Sequence, residues 1–254
     1  MEKLVLFSGG KDSFIAACKI AAAGDTAVLF SCNGGGMVAE THLLHGVARL
    51  EKRFGSEYIR YAGIHSTSGS IQVLSEHWTN TGLAELAKEY PHLTNCQVRC
   101  LHCQASMWAA AIAYAVAKHI PVVSAGYRHN DVFCTGLEGF RHLMEELAAS
   151  RDIAVEFPVW DLYEEDWERD EIMVRYGFAP AVLEPKCLLG TPVRNGFPTE
   201  EQEDMVKYTA NVLLPGLQAA ISRIIPVFSV MRLGHTTYDP WPFDLSHIGE
   251  GGIF

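Results

Sequence analysis

Long apolar runs, positive charge and low-complexity tracts are all scarce in this sequence. No apolar run approaches the roughly 20 residues of a membrane-spanning helix, so we expect no membrane association. Lysine and arginine number 20 against 30 acidic residues, which gives a formal charge of −10. A surface this acidic repels phosphate backbones, which disfavours nucleic acid and favours a small-molecule substrate. The first apolar segment begins almost at Met1, which leaves no room for a signal peptide, so we expect a cytoplasmic protein. Whether it forms a homodimer stays open.

What is present fits one α/β domain. The 254 residues are 48% hydrophobic and 20% charged, and strands alternate with helices as in an open, doubly wound parallel sheet with helices on both faces. The predicted strands are Leu4–Phe7, Ala27–Ser31, Tyr58–Tyr61, Val122–Ala125 and Ile153–Phe157. The predicted helices are Lys11–Ala23, Met37–Phe54, Gly82–Glu89, Gln104–His119, Gly136–Ser150 and Trp160–Tyr176. We assign residues 1–225 to this domain and predict that 226–254, rich in glycine, proline and aromatic residues, form an irregular lid or subunit contact.

The most informative segment is Ser8-Gly9-Gly10-Lys11-Asp12-Ser13, directly after the first predicted strand. A strand that turns sharply into a helix places two glycines where the backbone takes positive φ or approaches a ligand closely. Serine hydroxyls and the unpaired N–H groups of a helix start suit phosphate oxygens. The alternative is an ordinary capped turn without a ligand.

This segment resembles the SGGxDS signature of the PP-loop ATP pyrophosphatases, which cleave ATP between the α and β phosphates; the Walker A pattern is absent. The resemblance implies a Rossmann-like fold of the adenine nucleotide alpha hydrolase type. It implies transfer of AMP to a substrate oxygen, followed by attack of a nitrogen or sulfur nucleophile. By position, the pyrophosphate would be bound by Ser8, Gly9, Gly10, Asp12 and Ser13, with Lys11 as a point charge near the phosphates. Mg²⁺ is expected with ATP, because it binds through phosphates plus one or two carboxylates.

Two further strand ends are candidates for the nucleotide site, since ligands in such sheets bind beyond the carboxyl ends of the strands. After the second strand, backbone groups near Phe30, Ser31 and Cys32 would address the adenine edge. The three glycines Gly34–Gly36 that follow are equally consistent with a flexible turn.

The other candidate is the segment Gly126–Asp131, which follows the carboxyl end of the fourth predicted strand. Gly126 and Asp131 are expected to border the nucleotide there. Arg128 joins Lys11, Asp12 and Ser13 as a candidate catalytic residue, because a guanidinium can stabilise charge on the α-phosphate. The alternatives are an Arg128 that caps a neighbouring helix and an Asp131 that is the N-cap of the next one.

Three of the seven cysteines form the cluster Cys96-x-x-x-Cys100-x-x-Cys103. A C-x-x-C turn brings two sulfurs within reach of one ion, and structural Zn²⁺ takes four ligands, most often thiolates. We predict a zinc site completed by Cys187, with buried core thiols or a reactive pair as the alternatives. His102, between two of these cysteines, is expected to face solvent. The remaining cysteines, Cys18, Cys32 and Cys134, are expected to be packing residues.

A narrower resemblance covers roughly residues 122–187. The loop Gly126–Asp131, the proline segment Phe157–Trp160 and the helix that ends at Tyr176 look like the order in the 7-cyano-7-deazaguanine synthase branch, QueC. That branch has a four-cysteine zinc site near its C-terminus, of which Cys187 alone is in place here. The predicted zinc site therefore takes its other three ligands, Cys96, Cys100 and Cys103, from the middle of the chain.

Three functions follow from these features. The first is ATP-dependent adenylation of a small carboxylate or amide, a deazapurine-like heterocycle by the QueC resemblance, followed by attack of a nitrogen nucleophile to give an amide or nitrile. The second is sulfur transfer to tRNA or a small molecule, with Cys100 and Cys103 as persulfide carriers or iron–sulfur ligands. The third is a nucleotide-binding module without catalysis.

Overall fold

The computed structural model describes residues 1–34, 37–38, 41–67, 83–131, 133–180, 186–187, 197–224 and 230–231. The strands are β1 (Glu2–Leu6), β2 (Thr26–Asn33), β3 (Met37–Val38), β4 (Ile59–Ser66), β5 (Val122–Ala125), β6 (Ala154–Glu156), β7 (Lys186–Cys187) and β8 (Val230–Met231). The helices are α1 (Lys11–Ala22), α2 (Thr41–Phe54), α3 (Leu83–Glu89), α4 (Asn95–Lys118), α5 (Glu138–Ala149), α6 (Asp166–Arg175), α7 (Thr199–Tyr208) and α8 (Leu214–Ile224). A 3₁₀ turn covers Cys134–Gly136, and a π-helical turn, Thr209–Leu213, joins α7 to α8.

The main sheet has the strand order β6-β5-β1-β2-β4-β8, with the first five strands parallel and β8 antiparallel. The chain builds outward from β1 through β2 to β4 and then returns to place β5 on the other side of β1. The strand order therefore reverses between β1 and β5, and such a switch point opens a crevice at the carboxyl ends of the two strands. The predicted α/β class and parallel sheet are confirmed.

The two faces of the sheet are covered by different helices. One face packs against α4, whose residues from Trp108 to Ala113 are completely buried. The other face packs against α1, α2 and α6, where Phe7, Phe14 and Leu50 are among the buried side chains. In the described part of the chain, α4 is the one helix long and apolar enough to cross a membrane, but 67% of its apolar window is buried within the fold. It is the core helix of this domain.

The start of α4 differs from the prediction in a way that affects the cysteines. The helix begins at Asn95, nine residues before the predicted Gln104, because Thr94 and Gln97 form a reciprocal capping box. Cys96, Cys100 and Cys103 therefore lie within the helix, on one face at i, i+4 and i+7, instead of in a turn before it.

Other boundaries also differ. The predicted helix Met37–Phe54 begins only at Thr41, and Met37–Val38 instead pair with Lys186–Cys187 as a small antiparallel ladder. The helix predicted from Trp160 begins at Asp166, with Glu165 and Glu168 as its capping box. The helices α7 and α8 were not predicted at all. Val230–Met231 form an edge strand, so the predicted irregular segment 226–254 contains regular structure there; its other residues lie outside the described ones.

A buried histidine in β4 makes the stability of this fold depend on pH. The His65 ring stacks on Phe30 with the centroids 4.2 Å apart, and its Nε2 lies 3.0 Å from the carbonyl oxygen of Ala62. Burial disfavours the imidazolium and lowers the pKa of His65 to about 4. The unfolded chain, with a pKa near 6.5, takes up the proton first, so acidification favours unfolding.

We expect protonation of His65 alone to lower the free energy of unfolding of the wild type by about 2.5 kcal/mol when the pH falls from 7 to 4.5. The stability that it contributes is complete above pH 6.5 and is lost as the pH falls towards 4. Urea unfolding of the wild type and of His65→Gln, which keeps a donor but does not titrate, measures the difference. Parallel pH profiles for the two proteins would contradict the assignment.

Candidate nucleotide site

The Ser8–Ser13 loop lies where β1 ends and α1 begins. Gly9 has φ +79°, a conformation that favours glycine. The Oγ of Ser8 accepts a hydrogen bond from the Gly10 N–H at 3.2 Å, and the Oγ of Ser13 donates to the Gly10 carbonyl at 3.0 Å. The first N–H groups of a helix have no acceptor within it, so those of α1 point out of its positive end at this loop. This geometry suits an anion.

The loop after β5 comes into direct contact with the start of α1. A Cβ at Gly126 would lie 2.5 Å from the backbone nitrogen of Ser13 and 2.6 Å from the carbonyl carbon of Asp12. No side chain fits between these two stretches of backbone. The strand ends predicted to be neighbours, Ser8–Ser13 and Gly126–Asp131, therefore meet at the switch point.

Asp12 connects the loop to two other parts of the chain. Its carboxylate accepts a hydrogen bond from the hydroxyl of Tyr163 and another from Nη1 of Arg169 at 3.2 Å. The Nε of Arg128 lies 3.6 Å from its Oδ1. Burial raises the pKa of Tyr163, and Asp12 raises it further, so the phenol keeps its proton and remains a donor. Tyr163 and Arg169 were not predicted as site residues, because a single tyrosine or arginine far along the chain carries no local signal that links it to the loop.

Arg128 and Asp131 form an ion pair inside the β5 loop. The Nε and Nη2 of Arg128 lie 3.2 and 3.1 Å from Oδ1 of Asp131, and the guanidinium carbon stands 5.6 Å from the Tyr163 ring centroid. Burial opposes the charge of Arg128, but Asp12 and Asp131 outweigh it and raise its pKa. Burial likewise raises the pKa of Asp131, and Arg128 counteracts this. Asp131 is not the N-cap of the next helix: that position belongs to Leu137.

The residues predicted to address the adenine lie within β2, beside the loop. The Ser31 hydroxyl donates to the Phe7 carbonyl at 2.7 Å and so fixes the end of β1. Phe30 and Cys32 point towards α4 and are buried. β1 pairs with β2 only as far as Leu6 and Phe30, so the backbone beyond Phe30 borders the loop.

Four of the cysteines, Cys32, Cys100, Cys103 and Cys134, lie near one another beside this edge of the sheet. Cys96 is exposed and Cys100 and Cys103 are half-buried. Burial raises the pKa of Cys32 and of Cys134, and nearby Cys103 adds to both effects, as Cys100 does for Cys134. Among the described residues, no group of three or more histidine, cysteine or acidic side chains could hold a metal ion.

The predicted fourth zinc ligand, Cys187, is described only by its backbone, which pairs with Met37 just beyond the end of β2. Its side chain lies outside the described part, and the zinc tetrahedron therefore stays a prediction. The expectation for His102 was wrong. Its side chain is buried, and its Nε2 lies 2.7 Å from the hydroxyl of Tyr208, because α7, which the sequence analysis missed, covers this part of α4.

No family model and no curated protein matches this sequence. Among solved structures, the chain is similar to a 4-thiouridine synthetase in complex with RNA and bound ATP, at 15% identity and a TM-score of 0.51, over 91% of this chain and 54% of that one. It also matches a predicted subunit of a tRNA methyltransferase from Methanocaldococcus jannaschii, at 15% identity and a TM-score of 0.40, over 71% and 90% of the two chains. The chain thus spans about half the length of the synthetase. This likeness shows that the two proteins share the Rossmann-like fold of the adenine nucleotide alpha hydrolase type.

Proposed function

We propose that this protein is an enzyme that cleaves ATP between the α and β phosphates and transfers AMP to an acceptor. The observation that carries the proposal is the Ser8–Ser13 loop at the switch point of the sheet, with the positive end of α1 beneath it and two candidate cations, Lys11 and Arg128, beside it. The fold shared with an ATP-bound structure supports the same nucleotide. Membership of the PP-loop superfamily fits both observations.

The chemistry requires binding and charge stabilisation more than covalent catalysis. An acceptor oxygen attacks the α-phosphorus, the bond to the bridging oxygen breaks, and pyrophosphate leaves with the electron pair. The loop N–H groups would bind the leaving pyrophosphate, and Lys11 and Arg128 would balance the charge that develops on it. Mg²⁺ would be held mainly by phosphate oxygens, and Asp12 is the carboxylate that the loop itself offers.

The acceptor that we propose is a small carboxylate or amide of the heterocyclic kind that the QueC resemblance implies. Its adenylate would then react with a nitrogen nucleophile. The support is the net charge of −10 together with the acidic residues at the start of α6, Glu164, Glu165 and Asp166, which face solvent beside the site. An RNA backbone would be repelled there.

The position of the thiols favours a second candidate, sulfur transfer. Since α4 runs towards the amino edge of the sheet, its first turns bring Cys100 and Cys103 to the carboxyl edge, the edge that bears the loop. A persulfide or an iron–sulfur cluster there would be near an adenylated substrate. The similar synthetase, by its name, makes a thiolated nucleoside.

Product analysis tests the main proposal. With ATP, Mg²⁺ and a panel of heterocyclic carboxylates and amides, we expect AMP and pyrophosphate in equal amounts, and neither when EDTA removes the metal. ADP and phosphate would contradict the proposal, and ATP binding without any cleavage would favour the binding module.

Metal analysis separates the two candidate functions, which differ in whether the nucleophile is nitrogen or sulfur. Iron with a visible absorption band, and loss of turnover in Cys103→Ser, would favour sulfur transfer. About one zinc per chain, or no metal, together with an active Cys103→Ser protein, would favour adenylation with a nitrogen nucleophile.

A further inference from the structure

The helix α6 lies across the start of α1 and is joined to it by charged pairs. Lys11 pairs with Asp170, and Arg169 reaches the carboxylate of Asp12. Tyr163, just before the helix, holds the same carboxylate. The phosphate loop is thus bordered by α6 as well as by the loop after β5.

Arg169 has a buried donor that its carboxylate partners leave unsatisfied. Its Nη1 donates to Asp12 at 3.2 Å and its Nη2 lies 2.9 Å from Asp166. Its Nε is buried and has no hydrogen-bond partner among the residues that the structure describes. A buried N–H without an acceptor is costly, and a guanidinium presents its five donors as a planar fork suited to phosphate oxygens.

The acidic partners of these cations differ in how easily they can be replaced. The side chain of Asp166 is 77% exposed and that of Asp170 is 38% exposed, so both carboxylates can turn into water. Asp12 is mostly enclosed and stays with the loop. A polyphosphate would therefore compete with Asp166 and Asp170 for the cations and leave the Asp12 contacts intact.

We propose that Arg169 is a catalytic residue that binds the phosphate chain of ATP from the α6 side, in exchange for its contact with Asp166. This inference rests on the proposed function for the identity of the nucleotide. It adds a third cation to Lys11 and Arg128, contributed by α6, and this cation shares the partners Asp12 and Asp166 with Arg128. Tyr163 acts as a positioning residue, which keeps Asp12 oriented so that Arg169 is held at the loop.

Two variants test this role against a matched control. Arg169→Gln should raise the Kd for ATP with Mg²⁺ about 10-fold or more and slow pyrophosphate release about 100-fold. The control is Arg175→Gln, on the same helix, whose side chain is 71% exposed and paired with Glu171; it should match the wild type in both measurements. Tyr163→Phe removes a contact with Asp12 without removing a charge, so it should weaken ATP binding much less than Arg169→Gln does.

A rescue experiment separates contact with ATP from a purely structural role. In Arg169→Ala, added guanidinium chloride at non-denaturing millimolar concentrations should restore part of the pyrophosphate release, whereas Tyr163→Phe should not respond. Circular dichroism melts establish that each variant is folded. Absence of rescue combined with equal ATP affinities for Arg169→Gln and Tyr163→Phe would overturn the role.

The outcomes also separate this inference from the proposed function. Suppose that the wild type forms AMP and pyrophosphate, and that Arg169→Gln binds ATP as tightly as the wild type does. The role of Arg169 is then wrong, and the proposed function stands. If ATP binding depends on Arg169 but AMP never forms with any acceptor, the function is wrong and the inference stands. A wild type that does not bind ATP overturns both.

Discussion

Asp12→Asn is expected to reduce pyrophosphate release at least about 100-fold while the protein stays folded. The substitution keeps the size of the side chain and an acceptor for Tyr163, but removes the charge that holds Arg169 at 3.2 Å and Arg128 at 3.6 Å. Two guanidinium groups then lose their common partner beside the loop. Steady-state release of pyrophosphate and thermal melting, measured on the same preparations, check the expectation.

The control for this variant is Asp25→Asn. Asp25 also lies in an ion-paired group, with the N-terminal amine and Lys3, but at the amino end of the sheet. It should leave the rate unchanged. An Asp12→Asn protein with wild-type turnover would mean that the loop has been assigned wrongly.

Gly126→Ala should abolish pyrophosphate release and destabilise the protein by about 2 kcal/mol. The new Cβ would lie 2.5 Å from the backbone nitrogen of Ser13, and backbone atoms on both sides leave no flexible side chain to yield. Either the β5 loop or the first turn of α1 must move. In both cases the N–H groups offered to a phosphate lose their alignment.

Gly24→Ala serves as the matched control for lost stability. Gly24 has φ +83°, so an alanine there strains the backbone, yet the added Cβ would meet no atom of the described residues within 4 Å. Gly24 is also remote from the Ser8–Ser13 loop. This variant should melt earlier but keep its activity. A Gly126→Ala protein that retains both turnover and stability would show that the close approach of the two segments is unimportant.

The elements nearest the loop were predictable because their signals are local. An apolar strand, two glycines and an alanine-rich helix in immediate succession predict β1, the turn and α1, and the observed helix begins at Lys11 as expected. The fourth predicted strand, Val122–Ala125, matches β5 in both bounds. For such short parallel strands, burial on both faces leaves a clear apolar run.

Predictions failed where a short motif was interpreted without the helix that contains it or packs against it. The spacing of Cys100 and Cys103 suggested a turn, but the capping box of Thr94 and Gln97 starts the helix earlier and makes this spacing one helical face. His102 was placed in solvent because α7, with Tyr208, had not been predicted. The burial of a residue depends on a partner that is distant in the chain.

The class of fold and the turn of Ser8–Ser13 between β1 and α1 could be predicted from the sequence, since both depend on residues that are neighbours along the chain. Which side chains surround Asp12 could be learned only from the folded chain. Arg169 and Tyr163 are more than 150 positions away from it, and they reach it because the strand order reverses at β1 and brings α6 across the start of α1. Contacts between such distant segments follow from packing of the sheet and its helices, and no local pattern encodes them.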